Sequence, residues 1–215
     1  VKFFCKSGLI PLSVLSLLLF TPSSFQSSAS ATSKTPFPVG LTEHNLSVKG
    51  SDRTFLVYVP TKTKKPKALV LVLHGGGGIG VDVATPGAHP LSVFRTVADR
   101  ERFIVVYPQG LPSNDARGLI GWVDCRGDNS ISSTVNDVLF LQALVARVTK
   151  SFGLSSSKVF MAGGSNGAQV TQAFAFHYPD MIGGIASGAG SLPLNPKKGA
   201  CTNGPKKGVP ILLVH

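Results

Sequence analysis

Residues 163–167 read Gly-Gly-Ser-Asn-Gly and set Ser165 at the centre of a G-x-S-x-G pentapeptide. The segment before it, Lys158-Val-Phe-Met-Ala162, has the character of a strand, and residues 166–178 that of a helix. A sharp turn between such elements forces its central residue into a strained conformation and exposes the serine Oγ at the helix N-terminus, the arrangement of an acyl-transfer nucleophile. Gly163 and Gly167 carry no side chain where the two arms of the turn approach. The backbone N–H of Asn166 then faces the same space and, with the helix dipole, can stabilise an oxyanion. A second glycine run, His74-Gly-Gly-Gly-Gly-Ile-Gly80, follows another buried strand. Gly75, Gly77 and Gly80 satisfy G-x-G-x-x-G, but Pro86 and Pro90 forbid the regular helix a dinucleotide site requires, and no acidic residue closes the next strand. No Gly-Lys-Ser/Thr follows for a phosphate loop. A His-Gly-Gly-Gly loop serves instead as the companion of a nucleophile elbow, offering the N–H of Gly76 or Gly77 as a second oxyanion donor, with His74 supporting the loop from beneath.

These groups need a scaffold, and the rest of the chain supplies one. Residues 41–48 and 53–60 read as an antiparallel pair, and residues 68–73 and 103–107 as strands buried on both faces. Residues 91–102 read as a helix, and residues 108–133, rich in Gly, Pro, Asn and Asp, as a long surface excursion. Thr134 and Asp137 fit a capping box, after which Val138, Leu141, Val145, Val148 and Phe152 recur at helical spacing until Gly153. Two further strands fall at residues 181–187 and 209–214. Strands alternating with helices predict an α/β fold with a mostly parallel central sheet, whose ligands bind beyond the carboxyl ends of the strands.

Residues 1–31 are expected to lie outside that domain. Lys2 and Lys6 flank an apolar start, residues 8–20 are apolar, and Ala29-Ser-Ala31 forms a small-residue cleavage pattern. This predicts a secretory signal peptide, a mature domain over residues 32–215, and an extracellular or periplasmic location. The apolar run of 13 residues is too short for a membrane anchor, which needs about 20. Cys5 leaves with the signal, and Cys125 and Cys201 are then either one disulfide or two free thiols. The formal charge of +11 is the excess of 21 Lys and Arg over 10 Asp and Glu, with lysines clustered in short loops at residues 62–67, 197–198 and 206–207 that we read as solvated segments rather than a nucleic-acid face. The 43% hydrophobic and 14% charged composition excludes disorder and coiled coil.

With Ser165 and the His74 loop in place, the chain resembles the secreted feruloyl esterases, acetyl xylan esterases and polyhydroxyalkanoate depolymerases of the α/β-hydrolase superfamily. Residues 53–60, 71–78, 98–110, Trp122, 137–141 and 158–167 are similar to successive blocks of that family, and residues 178–180 and 186–191 continue it. The resemblance implies an α/β-hydrolase fold and hydrolysis of polysaccharide-linked or polyester substrates by Ser, Asp and His, without metal or organic cofactor. Trp122 either lines the acyl or sugar site or packs in the core.

In this superfamily the acid and base follow the serine. After Ser165 the chain offers Asp180, His177 and His215. His177 lies 12 residues along the same helix, roughly 18 Å away at 1.5 Å per residue. Residues 209–215 resemble the family strand that leads to the triad acid, so the triad Asp and His and the last strand and helix are expected to be missing here. The leading expectation is a serine carboxylesterase. Its rivals are a polyhydroxyalkanoate depolymerase and a catalytically inactive, truncated or carbohydrate-binding protein.

Overall fold

The computed structural model describes residues 37–113, 117–124, 136–191 and 207–215. All belong to the second of two units into which the chain divides, Val1–Ser33 and Lys34–His215. The predicted signal segment, Thr134, Cys125 and Cys201 lie outside the described residues.

Strands β1 (Gly40–Val48), β2 (Ser51–Val59), β3 (Leu69–Leu73), β4 (Ile104–Pro108), β7 (Val159–Gly164), β8 (Gly184–Gly188) and β9 (Ile211–Val214) form one sheet in the order β1-β2-β4-β3-β7-β8-β9. β1 pairs antiparallel with β2 and β2 antiparallel with β4, while every other pairing is parallel. Short strands β5 (Leu111–Pro112) and β6 (Ile120–Gly121) form a separate antiparallel ribbon. The expected long surface excursion is therefore only partly that. Gly121, Trp122 and Asp124 are buried, because polar partners described below draw this Gly- and Asp-bearing segment into the protein.

The helices are α1 (Gly80–Ala84), α2 (Val93–Glu101), α3 (Asp137–Phe152) and α4 (Asn166–His177). α1 is a short helix that the prolines do not prevent, since Pro86 lies beyond its end. Pro90 opens a 3₁₀ turn, Pro90–Ser92, ahead of α2, which shortens the helix expected from residue 91. The N-cap of α3 is Asn136, whose side chain accepts from the Leu139 N–H at 2.9 Å. The expected capping box is thus corrected: Asp137 is fully buried and takes no part in a cap. Gly153 ends α3 in the left-handed region at φ 65°, where a side chain would be strained.

Alternation along the central strands sends side chains to two cores. Leu69, Leu71, Leu73, Ile104 and Val106 pack with the inner faces of α3 and α4, including Leu141, Leu144, Val148 and Phe174. Val70, Val72, Val105 and Tyr107 pack on the other face with Val83 and Ala84 of α1 and Ala98 of α2. Burial on both faces is why β3 and β4 are unbroken apolar runs. It also fixes their register, and so the height at which their carboxyl ends emerge.

Candidate active site

β3 and β7 are parallel neighbours with Leu73 opposite Gly163, so the residues that follow them, His74 and Ser165, rise at the same edge of the sheet. β7 turns into α4 within one residue. Ser165 stands at φ 50°, ψ −121°, a conformation costing of order 1–3 kcal/mol for a residue with a side chain. Its N–H donates to the Gly188 carbonyl at 2.9 Å, which ties the strained residue to the end of β8. Ser165 is exposed, and its Oγ accepts no hydrogen bond among the described residues.

The two elbow glycines are required by close approach. A methyl on Gly163 would press into the Gly167 carbonyl and reach the Ala168 nitrogen at 2.7 Å. One on Gly167 would press into the His74 carbonyl and reach the Leu73 carbonyl oxygen at 2.6 Å. The glycine loop packs against the elbow. A Cβ on Gly75 would lie 3.5 Å from the Ser165 Cβ, and one on Gly76 would lie 3.7 Å from the Asn166 Cβ. Of the two expected second donors, Gly77 is already engaged, its N–H donating to the Ile120 carbonyl at 2.7 Å. Gly76 N–H and the first-turn N–H of Asn166 have no acceptor among the described residues.

His74 is 1% exposed and holds the loop from below. Gly110 N–H donates to its Nε2 at 3.0 Å, so Nδ1 carries the proton and donates to the Gly75 carbonyl at 2.7 Å. Burial pushes the imidazole below its ordinary value of 6.5, which keeps the ring neutral and this tautomer in place. With both nitrogens occupied, His74 is not a proton acceptor for Ser165. His89 accepts the Leu91 N–H on Nδ1 at 3.1 Å, which puts its proton on Nε2. His177 is exposed at the far end of α4, and Asp180 is an exposed turn residue paired with Lys207. His215 follows β9, two strand spacings or roughly 10 Å from β7.

Trp122 packs in the core. Its side chain is 1% exposed and packs against the His74 ring at a tilt of 34° with centroids 4.7 Å apart, and its indole N–H donates to the His74 carbonyl at 2.9 Å. The expectation that it lines the substrate site gives way to a supporting role. The Asn166 side chain explains how this segment is held. Its Oδ1 accepts the Trp122 N–H at 2.7 Å, while its Nδ2 donates to the Trp122 carbonyl at 3.1 Å and to Asp124 at 2.9 Å.

Sequence reasoning misses one pair. Arg53, 2% exposed, donates from Nη2 to Oδ1 of Asp137 at 2.5 Å and to the Gln109 carbonyl at 3.1 Å. Burial pushes the Asp137 carboxyl up from its ordinary value, while the Arg53 charge and the Val123 N–H, 2.6 Å from Oδ2, pull it back. The signal is present in β2. Arg53 shares the inward face of that strand with Phe55, Val57 and Val59, where a charge must be paired.

A strained serine between a parallel strand and a helix, beside a glycine loop on the next strand, is the architecture of an α/β-hydrolase. The solved structures agree on the fold. An acetyl xylan esterase from Aspergillus awamori superposes with a TM-score of 0.53 at 23% identity, over 71% of this chain and 53% of that one. An S-formylglutathione hydrolase from Agrobacterium tumefaciens gives 0.54 at 20% identity, over 70% and 57%. The model of the Esterase PHB depolymerase family matches residues 54–193, well over half of the chain. The chain belongs to that family.

Among its curated relatives, poly(3-hydroxyalkanoate) depolymerase C of Paucimonas lemoignei is 29% identical over 62% of this chain and 30% of that relative. Feruloyl esterase B of Talaromyces funiculosus is 27% identical over 59% and 33%. Acetylxylan esterase A of Aspergillus awamori is 29% identical over 59% and 38%. The chain thus spans about a third of the length of these relatives. Among the described residues no helix is long and apolar enough to cross a membrane.

Proposed function

We propose that this protein is a secreted carboxylic ester hydrolase in which Ser165 is the nucleophile, acting on feruloyl or acetyl esters of plant polysaccharides. The observation that carries the reading is the strained, exposed Ser165 lying against the Gly76 loop. Oγ attacks the ester carbonyl, the oxygen becomes an oxyanion, and the N–H groups of Gly76 and Asn166 receive it as charge develops. Collapse of the tetrahedral intermediate expels the alcohol and leaves an acyl-Ser165, which water hydrolyses. The proton that Ser165 loses goes to a base other than His74, whose nitrogens are both engaged, and that base returns it to the departing oxygen so that an alcohol leaves. The relative named as a poly(3-hydroxyalkanoate) depolymerase supports polyester as a second substrate class.

The test is hydrolysis of methyl ferulate, p-nitrophenyl acetate and poly(3-hydroxybutyrate) by wild type and Ser165→Ala. Loss of the nucleophile should lower kcat by about 10⁴- to 10⁶-fold, and a fluorophosphonate should label wild type at Ser165 alone. Turnover that survives Ser165→Ala would overturn the proposal. Preference for the polyester over both small esters would move the assignment to the second class.

A further inference from the structure

The β5–β6 ribbon has two legs, and both hold the oxyanion loop. On one leg Gly110 N–H meets His74 Nε2 at 3.0 Å. On the other, the Ile120 carbonyl receives Gly77 N–H at 2.7 Å and the Trp122 indole N–H grips the His74 carbonyl at 2.9 Å. The legs are in backbone contact. A Cβ on Gly110 would press into the Gly121 carbonyl and reach the His74 ring at 3.1 Å.

One buried ion pair spans both legs. Arg53 Nη2 holds the Gln109 carbonyl on the first leg at 3.1 Å, and Asp137 Oδ2 holds the Val123 N–H on the second at 2.6 Å. Between them Arg53 and Asp137 meet at 2.5 Å, with the guanidinium over the Phe140 ring 4.2 Å from its centroid. A buried pair is poor value as a stabiliser, because apolar residues of similar volume are often as good or better. What apolar residues would not supply is a simultaneous hold on a carbonyl of one leg and an N–H of the other.

We propose that the Arg53–Asp137 pair is a positioning device for the oxyanion loop, clamping the two ribbon legs that grip His74. The pair touches no substrate and acts through Gln109–Gly110 and Val123–Trp122. The catalytic part of this inference rests on the esterase reading above, whereas the clamp itself does not.

The experiment separates the clamp from simple stability. Trp122 is the only tryptophan in the chain, so its fluorescence reports the second leg directly. In Asp137→Asn the amide offers one acceptor where the carboxylate offers two, so either Val123 or Arg53 loses its partner. The double variant Arg53→Met with Asp137→Leu replaces the pair by apolar bulk and should keep the fold. Both are expected to shift Trp122 emission to the red and to raise its acrylamide quenching constant about twofold. Leu144→Ala, a core cavity elsewhere in α3, should lower the melting temperature without either optical change.

With p-nitrophenyl acetate the double variant should lose about 10- to 100-fold in kcat at little change in KM, since a displacement near 1 Å in the site can cost 10²-fold. A folded double variant with Trp122 as protected as in wild type overturns the clamp. Released Trp122 with unchanged kcat overturns its link to the oxyanion loop. Failure of the esterase reading shows separately, as turnover that survives Ser165→Ala, and leaves the optical test in force.

Discussion

Gly163 and Gly164 are adjacent in the elbow, yet alanine at the two positions should give opposite results. A methyl on Gly163 reaches the Ala168 nitrogen at 2.7 Å, about 0.7 Å inside ordinary contact at 3.4 Å, and also meets the Gly167 carbonyl. Both neighbours are backbone atoms in the first turn of α4, so neither can rotate away. Overpacking of this kind costs typically 1–3 kcal/mol, and rigid partners place it near the upper end. For a chain of this size about 3 kcal/mol corresponds to a melting temperature lower by roughly 6–12 °C. A methyl on Gly164 finds only Leu91 Cδ1, at 4.0 Å, and its φ is not in the left-handed region. Gly164→Ala should therefore stay within about 0.5 kcal/mol of wild type, or under about 2 °C. Thermal melts of both variants in one buffer, followed by circular dichroism, decide the matter. A Gly164→Ala protein that melts as low as Gly163→Ala would refute the steric account, as would a Gly163→Ala protein that melts like wild type.

Three more outcomes follow from charge and compartment. His74 is held below 6.5 by burial, so the unfolded chain binds a proton that the folded protein refuses. The stability this neutral ring supports is intact above pH 6.5 and declines as pH falls from 6.5 toward the folded value. Urea midpoints measured in a His44→Gln background, since His44 is shifted the same way by burial and Arg147, should drop between pH 7 and 5.5. A flat or rising midpoint would show that His74 is charged in the fold. Exported protein should begin near Thr32 by mass spectrometry and titrate no free thiol when denatured without reductant, with Cys125 and Cys201 paired. A retained leader or two free thiols would each refute the corresponding expectation.

The elbow and its companion loop are legible in the sequence because each is a local pattern. A strand, a glycine-bearing pentapeptide and a helix place Ser165 without reference to distant residues, and the His74 loop follows an apolar strand in the same way. The order of strands is not local, and neither is the fate of residues 120–124. Their Gly and Asp content reads as surface, and only Asn166, 44 positions from Trp122, and Asp137, 14 positions from Val123, show why they are buried. That the Gly77 N–H is engaged while the Gly76 N–H is not turns on the Ile120 carbonyl, a backbone atom with no sequence signature. Asp137 misleads for a related reason. Three residues after a threonine it has the spacing of a capping acid, but Arg53, 84 positions earlier, claims it.

The placement of β3 between β4 and β7 also sets a timetable for synthesis. The chain makes Leu73 and His74 early, and β4 emerges soon enough to cover one edge of β3. The other edge waits for Gly163, the partner of Leu73, which is 163 − 73 = 90 residues later. At a ribosomal pace of about 5–20 residues per second, that leaves an unpaired apolar edge for roughly 5–18 s. During that interval the loop at residues 74–80 has no elbow to pack against. A nascent chain of this design depends on whatever shields β3 until the strand bearing Ser165 has left the ribosome, and slow translation between those points would be more hazardous to it than slow translation elsewhere.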